Sequence, residues 1–233
     1  MSITWLTSEA ISEFPPIETA DEDGLLAAGG DLSSARLLKA YRHGVFPWFN
    51  KHDPILWWSP DPRMVLFTDS VKISKSLAKT LKKSPFKITI DHAFEDVMTA
   101  CSLPRKDDDG TWIHQNMIDA YAVLNQQGYA HSVECWLDDK LVGGLYGIAI
   151  GHMFFGESMF SRARDSSKIA LVSLCQQLNK WGFQMIDCQV YSSHLESLGA
   201  EEIPRHEFLQ AMTELCQQDS TNIAWKMILS NHD

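Results

Sequence analysis

Residues 130–160 read AHSVECWLDDKLVGGLYGIAIGHMFFGESMF. AHSVECWL, turn residues at Asp138-Asp139 and the apolar run KLVGGLYGIAI predict a β-hairpin over 130–137 and 140–150. HMFFGESMF predicts a further strand. On either side the period becomes helical. Ile169, Val172, Leu174, Cys175, Leu178 and Trp181 predict a helix over 166–181, and FQMIDCQV predicts a strand after it. Upstream, Phe94, Val97, Met98 and Cys101 mark one helix; Met117, Ile118, Tyr121 and Leu124 mark another that ends at Gly128. Helical fragments close the chain. Helices, then antiparallel strands, then helix and strand make an α+β fold with a mainly antiparallel sheet flanked by helices.

The first sixty residues have a different character. Seven acids precede the first base, Arg36, and this part reads as loop. Gly29-Gly30-Asp31 predicts a turn. Asp31 or Ser33 can cap a helix carrying Leu37, Leu38 and Tyr41, which stops before Gly44. Next comes VFPWFNKHDPILWWSPDPR, residues 45–63, with three tryptophans and four prolines. Each proline removes a donor and fixes φ, so this segment is a rigid aromatic loop and not a helix. It can serve as an interface core or as a stacking platform for bases. Regular periodicity resumes near residue 63. The expected division is therefore a small N-terminal domain, 1–62, and a larger domain, 63–233.

The composition is that of a globular chain: 233 residues, 45% hydrophobic and 21% charged. No apolar run reaches the ~20 residues of a membrane span. MSITWLTSEAISEFPP has neither a basic nor an apolar targeting region, so no signal peptide is expected. Five scattered cysteines without a CxxC predict reduced thiols in a cytoplasmic protein, with no disulfide framework and no structural zinc. His131 and Cys135 share a strand face, but no further ligand lies near them in sequence. His152 and His194 are solitary histidines.

The net charge of −10 argues against general nucleic-acid binding. Residues 71–87 depart from it, with six lysines and no acid, and leave −16 on the remainder. A helix over 71–83, capped by Asp69 or Ser70, would carry Ile73, Leu77 and Leu81 on one face. Lys72, Lys75, Lys79, Lys82 and Lys83 would then occupy an arc of about 100° opposite that face. Such a stripe is commonly a solvated helix face. On so acidic a background it is also an anion site for a polyanion.

Three further polar residues stand inside apolar strands. Asp187 and Gln189 share one face of MIDCQV, with Cys188 on the other. Buried there, they need partners. They form either a satisfied core network or the floor of a polar cleft. Glu157 in FFGESMF is either a buried partner of Arg162 or Arg164 or a site residue. There is no GxSxG, Walker loop or GxGxxG.

Taken together, GLLAAGGDLSSARLLKAYRHGVFPWF, ILWWSPDPR, GTWI, HSVECW, LVGGLYG, GESMFSR, SSKIAL, IDCQV and SLGAEEIPR resemble the leucyl/phenylalanyl-tRNA–protein transferases. They run in the family's order from about residue 24 to 205. Ser34 stands where the family commonly has Pro, a change the first helical turn tolerates. The acidic loop RKDDDG has no counterpart purpose in the resemblance.

The resemblance implies a small N-terminal domain and a GNAT-like acyltransferase domain. It implies transfer of Leu, Phe or Met from aminoacyl-tRNA to the N-terminal Arg or Lys of a protein, which is thereby marked for N-end-rule degradation. No metal or nucleotide cofactor is implied. In the site, it implies Asp187 and Gln189 at the attacking amine and Glu157 holding an ammonium. It implies an aminoacyl pocket of Trp112, Leu145, Phe154 and Met159, and Trp48 stacked on the terminal adenine. The lysine stripe then faces acceptor-stem phosphates. A CoA-dependent N-acyltransferase is the first rival, although SRARDSSK lacks the glycine-rich run that would hold a pyrophosphate. The second is a tRNA-binding module without catalysis, which leaves Asp187, Gln189 and Glu157 without a task.

Overall fold

The computed structural model of the chain describes residues 3–8, 13–82, 85–104, 112–220 and 223–229. The N-terminal part holds β1 (Thr4–Leu6), β2 (Leu25–Gly29), α1 (Ser34–Arg42), β3 (Phe46–Pro47) and β4 (Leu56–Trp58). Its strands form a small sheet in the order β1-β2-β4-β3. The stretch expected as loop therefore contains two strands. LLAAG shows no period-two pattern because both of its faces are covered: Leu26, Ala27 and Ala28 are all buried. The aromatic segment is a hairpin rather than an irregular loop. Its prolines exclude helix, but Phe46 pairs with Trp58 and Pro47 with Trp57. The buried Trp57 donates its Nε1–H to the carbonyl of Gly29 at 2.9 Å.

The glycine turn and helix follow expectation. Gly29 and Gly30 adopt φ of +82° and +80°. Asp31 accepts from the Ser33 N–H at 2.8 Å and from Arg36 at 3.1 and 3.2 Å. Of the two candidate caps, Ser33 is the one used, its hydroxyl accepting from the Arg36 N–H at 3.4 Å.

The larger part contains β5 (Arg63–Phe67), α2 (Lys75–Lys82), β6 (Lys87–Ile90), α3 (Phe94–Cys101), α4 (Gln115–Gln126), β7 (Ala130–Leu137), β8 (Lys140–Ile150), β9 (Met153–Ser161), α5 (Ser166–Lys180), β10 (Met185–Gln189), α6 (Ser193–Glu196), β11 (Glu201–Ile203), α7 (Arg205–Cys216) and β12 (Met227–Leu229). Its sheet runs β11-β5-β10-β9-β8-β7-β6-β12. Among the described residues of this sheet the β9–β10 pair, joined by α5, is parallel and the other pairs are antiparallel. The fold is α+β. Asp138 and Asp139 take φ of +48° and +58°, the left-handed pair that a tight two-residue hairpin turn requires.

Two expectations need correction. The lysine helix begins at Lys75, not at 71, because Val71–Ser74 runs alongside the turn after α6, where the Lys72 N–H donates to the Leu198 carbonyl at 2.8 Å. Ser74 accepts from the Leu77 N–H at 3.2 Å and replaces Asp69 and Ser70 as the cap. Ile73 is thus off the helix and exposed, while Leu77 is buried. Lys83 lies outside the described residues. The closing part of the chain is also not wholly helical, since β11 and β12 are short edge strands of the sheet. Among the described residues no helix is long and apolar enough to cross a membrane.

The small sheet ends at Trp58 and the large one begins at Arg63. One core joins them, since Leu37, Tyr41, Phe46 and Trp57 pack in the same cluster as Tyr121, Tyr146, Phe155 and Phe208. On the other face of the large sheet, α5 covers β8 at Gly143. A Cβ there would fall on the Ser166 side chain, whose hydroxyl donates to the Val142 carbonyl at 2.8 Å. Gly143→Ala is therefore expected to lower stability by about 1–3 kcal/mol. In Gly156→Ala the new methyl would meet neighbours at 3.4 and 3.6 Å, so that change should leave the melting temperature nearly unmoved. Thermal denaturation of the two variants checks the contrast.

Candidate active site

The site arises where the parallel ladder fails. β9 and β10 pair at Met153↔Met185, Phe154↔Ile186 and Phe155↔Asp187, and there the ladder stops. Just past that rung both strands bulge. On β9 the extra residue is Glu157, between the pairs Gly147↔Gly156 and Tyr146↔Ser158. On β10 it is Cys188, between Asp187↔Val65 and Gln189↔Met64. A bulge bends its strand and re-aims the side chains beside it. Two bulges at one level splay the strands, and a cavity of about 780 Å³ occupies the split.

Gln189 carries backbone strain. Its φ is +69°, and the Val190 N–H reaches back to the Cys188 carbonyl at 2.9 Å. A non-glycine residue held in this way needs its surroundings to fix it. Asp187 does so. Its Oδ1 accepts from the Gln189 N–H at 2.9 Å and from Arg63 Nε at 2.8 Å, and its Oδ2 accepts from Arg63 Nη2 at 2.6 Å. Both members of the pair are buried. The Arg63 guanidinium lies between the rings of Phe46 and Phe208, at 4.8 and 4.6 Å.

The turn aims the Gln189 amide at Glu157, with Nε2 donating to Oε1 at 3.1 Å. Tyr41 donates to the same oxygen at 2.6 Å, and Tyr121 to Oε2 at 3.1 Å. The two hydroxyls also meet each other at 2.5 Å. Neither Arg162 nor Arg164 pairs with Glu157. Arg162 lies over the Phe160 ring at 5.2 Å, and the exposed Arg164 is 3.7 Å from Asp165. Enclosure by protein pushes the Glu157 carboxyl up to about 8, against the pull of its three donors, and the charge of Asp187 adds to the rise. Burial likewise holds both phenols well above the ordinary tyrosine range.

Glu157, Gln189, Trp48, Trp112, Leu145, Phe154 and Met159 all line this one cavity. The four candidate pocket residues do not share a wall. Leu145, Phe154 and Met159 belong to the core under α5, with Leu171 and Leu174, whereas Trp112 packs with the core on the opposite face. Asp187 and Gln189 share a face as expected, yet Asp187 does not reach the cavity.

Lys72, Lys75, Lys79 and Lys82 are exposed outside the cavity and form no ion pair among the described residues. They flank elements that line it. The Lys72 backbone adjoins Gly199, just after α6, which supplies His194 and Leu195 to the cavity. Thr80 of α2 lies 3.4 Å from Asp165 at the start of α5, which supplies Ser167 and Leu171. His131 sits 2.7 Å from Asp91 and stacks on Trp225 at 3.6 Å, while burial pushes the Cys135 thiol up to about 12. Among the described residues no group of three or more His, Cys, Asp or Glu is placed to hold a metal.

Tyr41, Tyr121 and Arg63 were not foreseen as site residues. The available signal was chemical: a tyrosine on a helix's buried stripe brings a hydroxyl that must find a partner.

A family described as leucyl/phenylalanyl-tRNA protein transferase matches residues 65–213, and the N-terminal domain of that family matches residues 30–61. The chain belongs to this family. The transferase of Nitrosospira multiformis is 56% identical over 225 residues, 96% of each chain. That of Nitrosomonas europaea is 59% identical over 214 residues, 91% of each. Among solved structures, L-PGS from Bacillus licheniformis is a distant likeness, with a TM-score of 0.40 at 10% identity, covering 72% of this chain and 53% of that one. As a member of the family the protein is an aminoacyltransferase. The N-terminal match includes Tyr41 and Trp48; the main match includes Tyr121, Glu157, Asp187 and Gln189.

Glu157 makes stability depend on pH in a definite direction. Its folded value, about 8, lies above the ordinary 4.5, so between these values the folded chain binds the proton more tightly than the unfolded chain does. The stability it contributes is complete below pH 4.5 and is lost as pH rises through about 8. Urea unfolding from pH 5 to 9 should show this decline in the wild type and a flatter profile in Glu157→Gln.

Proposed function

We propose that the protein transfers Leu, Phe or Met from aminoacyl-tRNA to the N-terminal Arg or Lys of acceptor proteins in the cytoplasm. The product carries a new N-terminal residue that marks it for N-end-rule degradation. Residues 1–62 contribute Tyr41 and Trp48; residues 63–233 contribute the rest of the site. The observation that carries this reading is the strand split, where a carboxyl that titrates near neutrality and a fixed amide adjoin an apolar wall.

The chemistry is aminolysis of an ester. The acceptor's α-amine has a pKa near 8, so roughly a tenth is neutral at pH 7. Glu157, at about 8, can hold the ammonium form or take its proton in that range, and general-base help is typically worth ~10²–10⁴-fold. Gln189 has no useful titration. It orients the amine through its carbonyl oxygen, its Nε2 being engaged with Glu157. Asp187 is a positioning residue, with both oxygens turned to Arg63 and the Gln189 backbone.

Leu145, Phe154 and Met159 form the wall for the donor side chain, with Trp112 facing it across the split. One methylene in such a pocket is worth ~1–3 kcal/mol, so Leu and Phe are preferred over Val without absolute rejection. Trp48 is 44% exposed at the rim, where it is free to stack on the terminal adenine for roughly 1–3 kcal/mol. The lysine segment meets the acceptor-stem phosphates.

Labelled Leu-tRNA incubated with peptides beginning Arg, Lys or Ala tests the proposal. Label should enter the first two only, and failure to label either rejects it. Lys79→Ala with Lys82→Ala should weaken use of aminoacyl-tRNA and flatten its dependence on salt by a slope of about one to two. An unchanged slope removes the lysines from the interface.

A further inference from the structure

Arg162 does not pair with Glu157, yet it borders the same cavity. It follows directly on Ser161, the last residue of β9, and its side chain is exposed. Among the described residues it forms no ion pair. Its place is nevertheless fixed. The Arg162 N–H donates to the Val142 carbonyl at 2.6 Å, and the neighbouring Ser161 hydroxyl donates to the Ala163 carbonyl at 2.9 Å. The guanidinium lies over the Phe160 ring at 5.2 Å, and Phe160 packs against the same core as Trp112. Arg162 therefore stands on the Trp112 side of the strand split. Phe160 is three residues beyond Glu157, which puts the guanidinium about 10 Å along β9 from that carboxyl. Three residues further on, Asp165 meets Thr80 of the lysine helix at 3.4 Å. One accessible cation thus lies between the lysine segment and the cavity floor.

We propose that Arg162 binds the phosphate on the 5′ side of the terminal adenosine of the aminoacyl-tRNA, and so sets how far the ester enters the split. The proposal rests on the transferase reading above. A guanidinium presents a planar fork of N–H donors that matches two oxygens of one phosphate. The Phe160 ring occupies one face of the guanidinium and leaves the fork at its edge free. The other substrate has the wrong charge for this position. An acceptor beginning with Arg or Lys brings a cationic side chain and a cationic amine, and Arg162 repels both. The donor fits. With the ester beside Glu157 and the adenine on Trp48, only the ribose and one methylene separate the ester from the phosphate. That short chain, with a hydrogen bond at each end, covers the interval between Glu157 and the guanidinium. The lysines of α2, outside the cavity, then follow later phosphates of the same polyanion.

Two truncated donors test this in the full chain: the 3′-O-leucyl esters of adenosine and of adenosine 5′-phosphate, which differ only in the phosphate. Transfer to an Arg-starting peptide is measured for the wild type, Arg162→Gln and Arg162→Lys. In Arg162→Gln the KM for the phosphorylated donor should rise about tenfold relative to the KM for the unphosphorylated one. Arg162→Lys, which keeps a point charge without the fork, should recover part of that ratio. A ratio changed by less than about threefold in Arg162→Gln overturns the proposal. So does an equal rise for both donors, because the side chain would then serve the fold or the adenosine and not the phosphate. A lysine variant no better than the glutamine variant also overturns it. Absence of transfer from Leu-tRNA by the wild type would instead sink the underlying reading of the reaction.

Discussion

The buried pair between Arg63 and Asp187 is the constraint on which the site depends. Removing two charges from water costs several kcal/mol per ion, and their attraction often does no more than offset it. What the pair supplies here is placement. Asp187 fixes the backbone of Gln189 in a left-handed conformation that the residue would not hold alone. Arg63 lies between Phe46, from the hairpin that carries Trp48, and Phe208 of α7. One guanidinium thus ties the small sheet, the splayed strand and a C-terminal helix into a single arrangement.

The two carboxylates illustrate how environment separates roles. Asp187 and Glu157 lie close enough for one charge to raise the other's pKa. Asp187 has a bidentate arginine and no access to the cavity, so it acts as a fixed strut. Glu157 has only neutral donors and faces the cavity, so it is the group able to exchange a proton near neutral pH. Neighbouring carboxyls with unlike surroundings can divide structural and chemical tasks in this way. The phenols that hold Glu157 come from α1 and α4, which meet only because the N-terminal and larger parts share a core.

Much of the fold was legible where local pattern and tertiary environment agree. The hairpin over 130–150 has strand-length apolar segments on either side of an Asp-Asp turn, and α5 has a long apolar stripe. Legibility failed where pattern is short or overridden. β11 and β12 have three residues each, too few to display a period. Ile73 continued the apolar spacing of α2, but the Lys72 backbone is held by the turn after α6, and the helix starts later. LLAAG gave no alternation because it is covered on both faces.

In the site, the unusual residue types were readable: carboxylates and an amide inside apolar strands, and an aromatic segment broken by prolines. Burial makes such groups costly, so their presence in those strands announces a purpose. Their geometry was not readable. Which carboxylate faces the cavity depends on the reach of Arg63, 124 residues from its partner. The split between β9 and β10 depends on two bulges falling at the same rung, a matter of register between strands that no single strand's sequence encodes. Tyr41 and Tyr121 look like core residues in the chain, and only their convergence on Glu157 distinguishes them from packing.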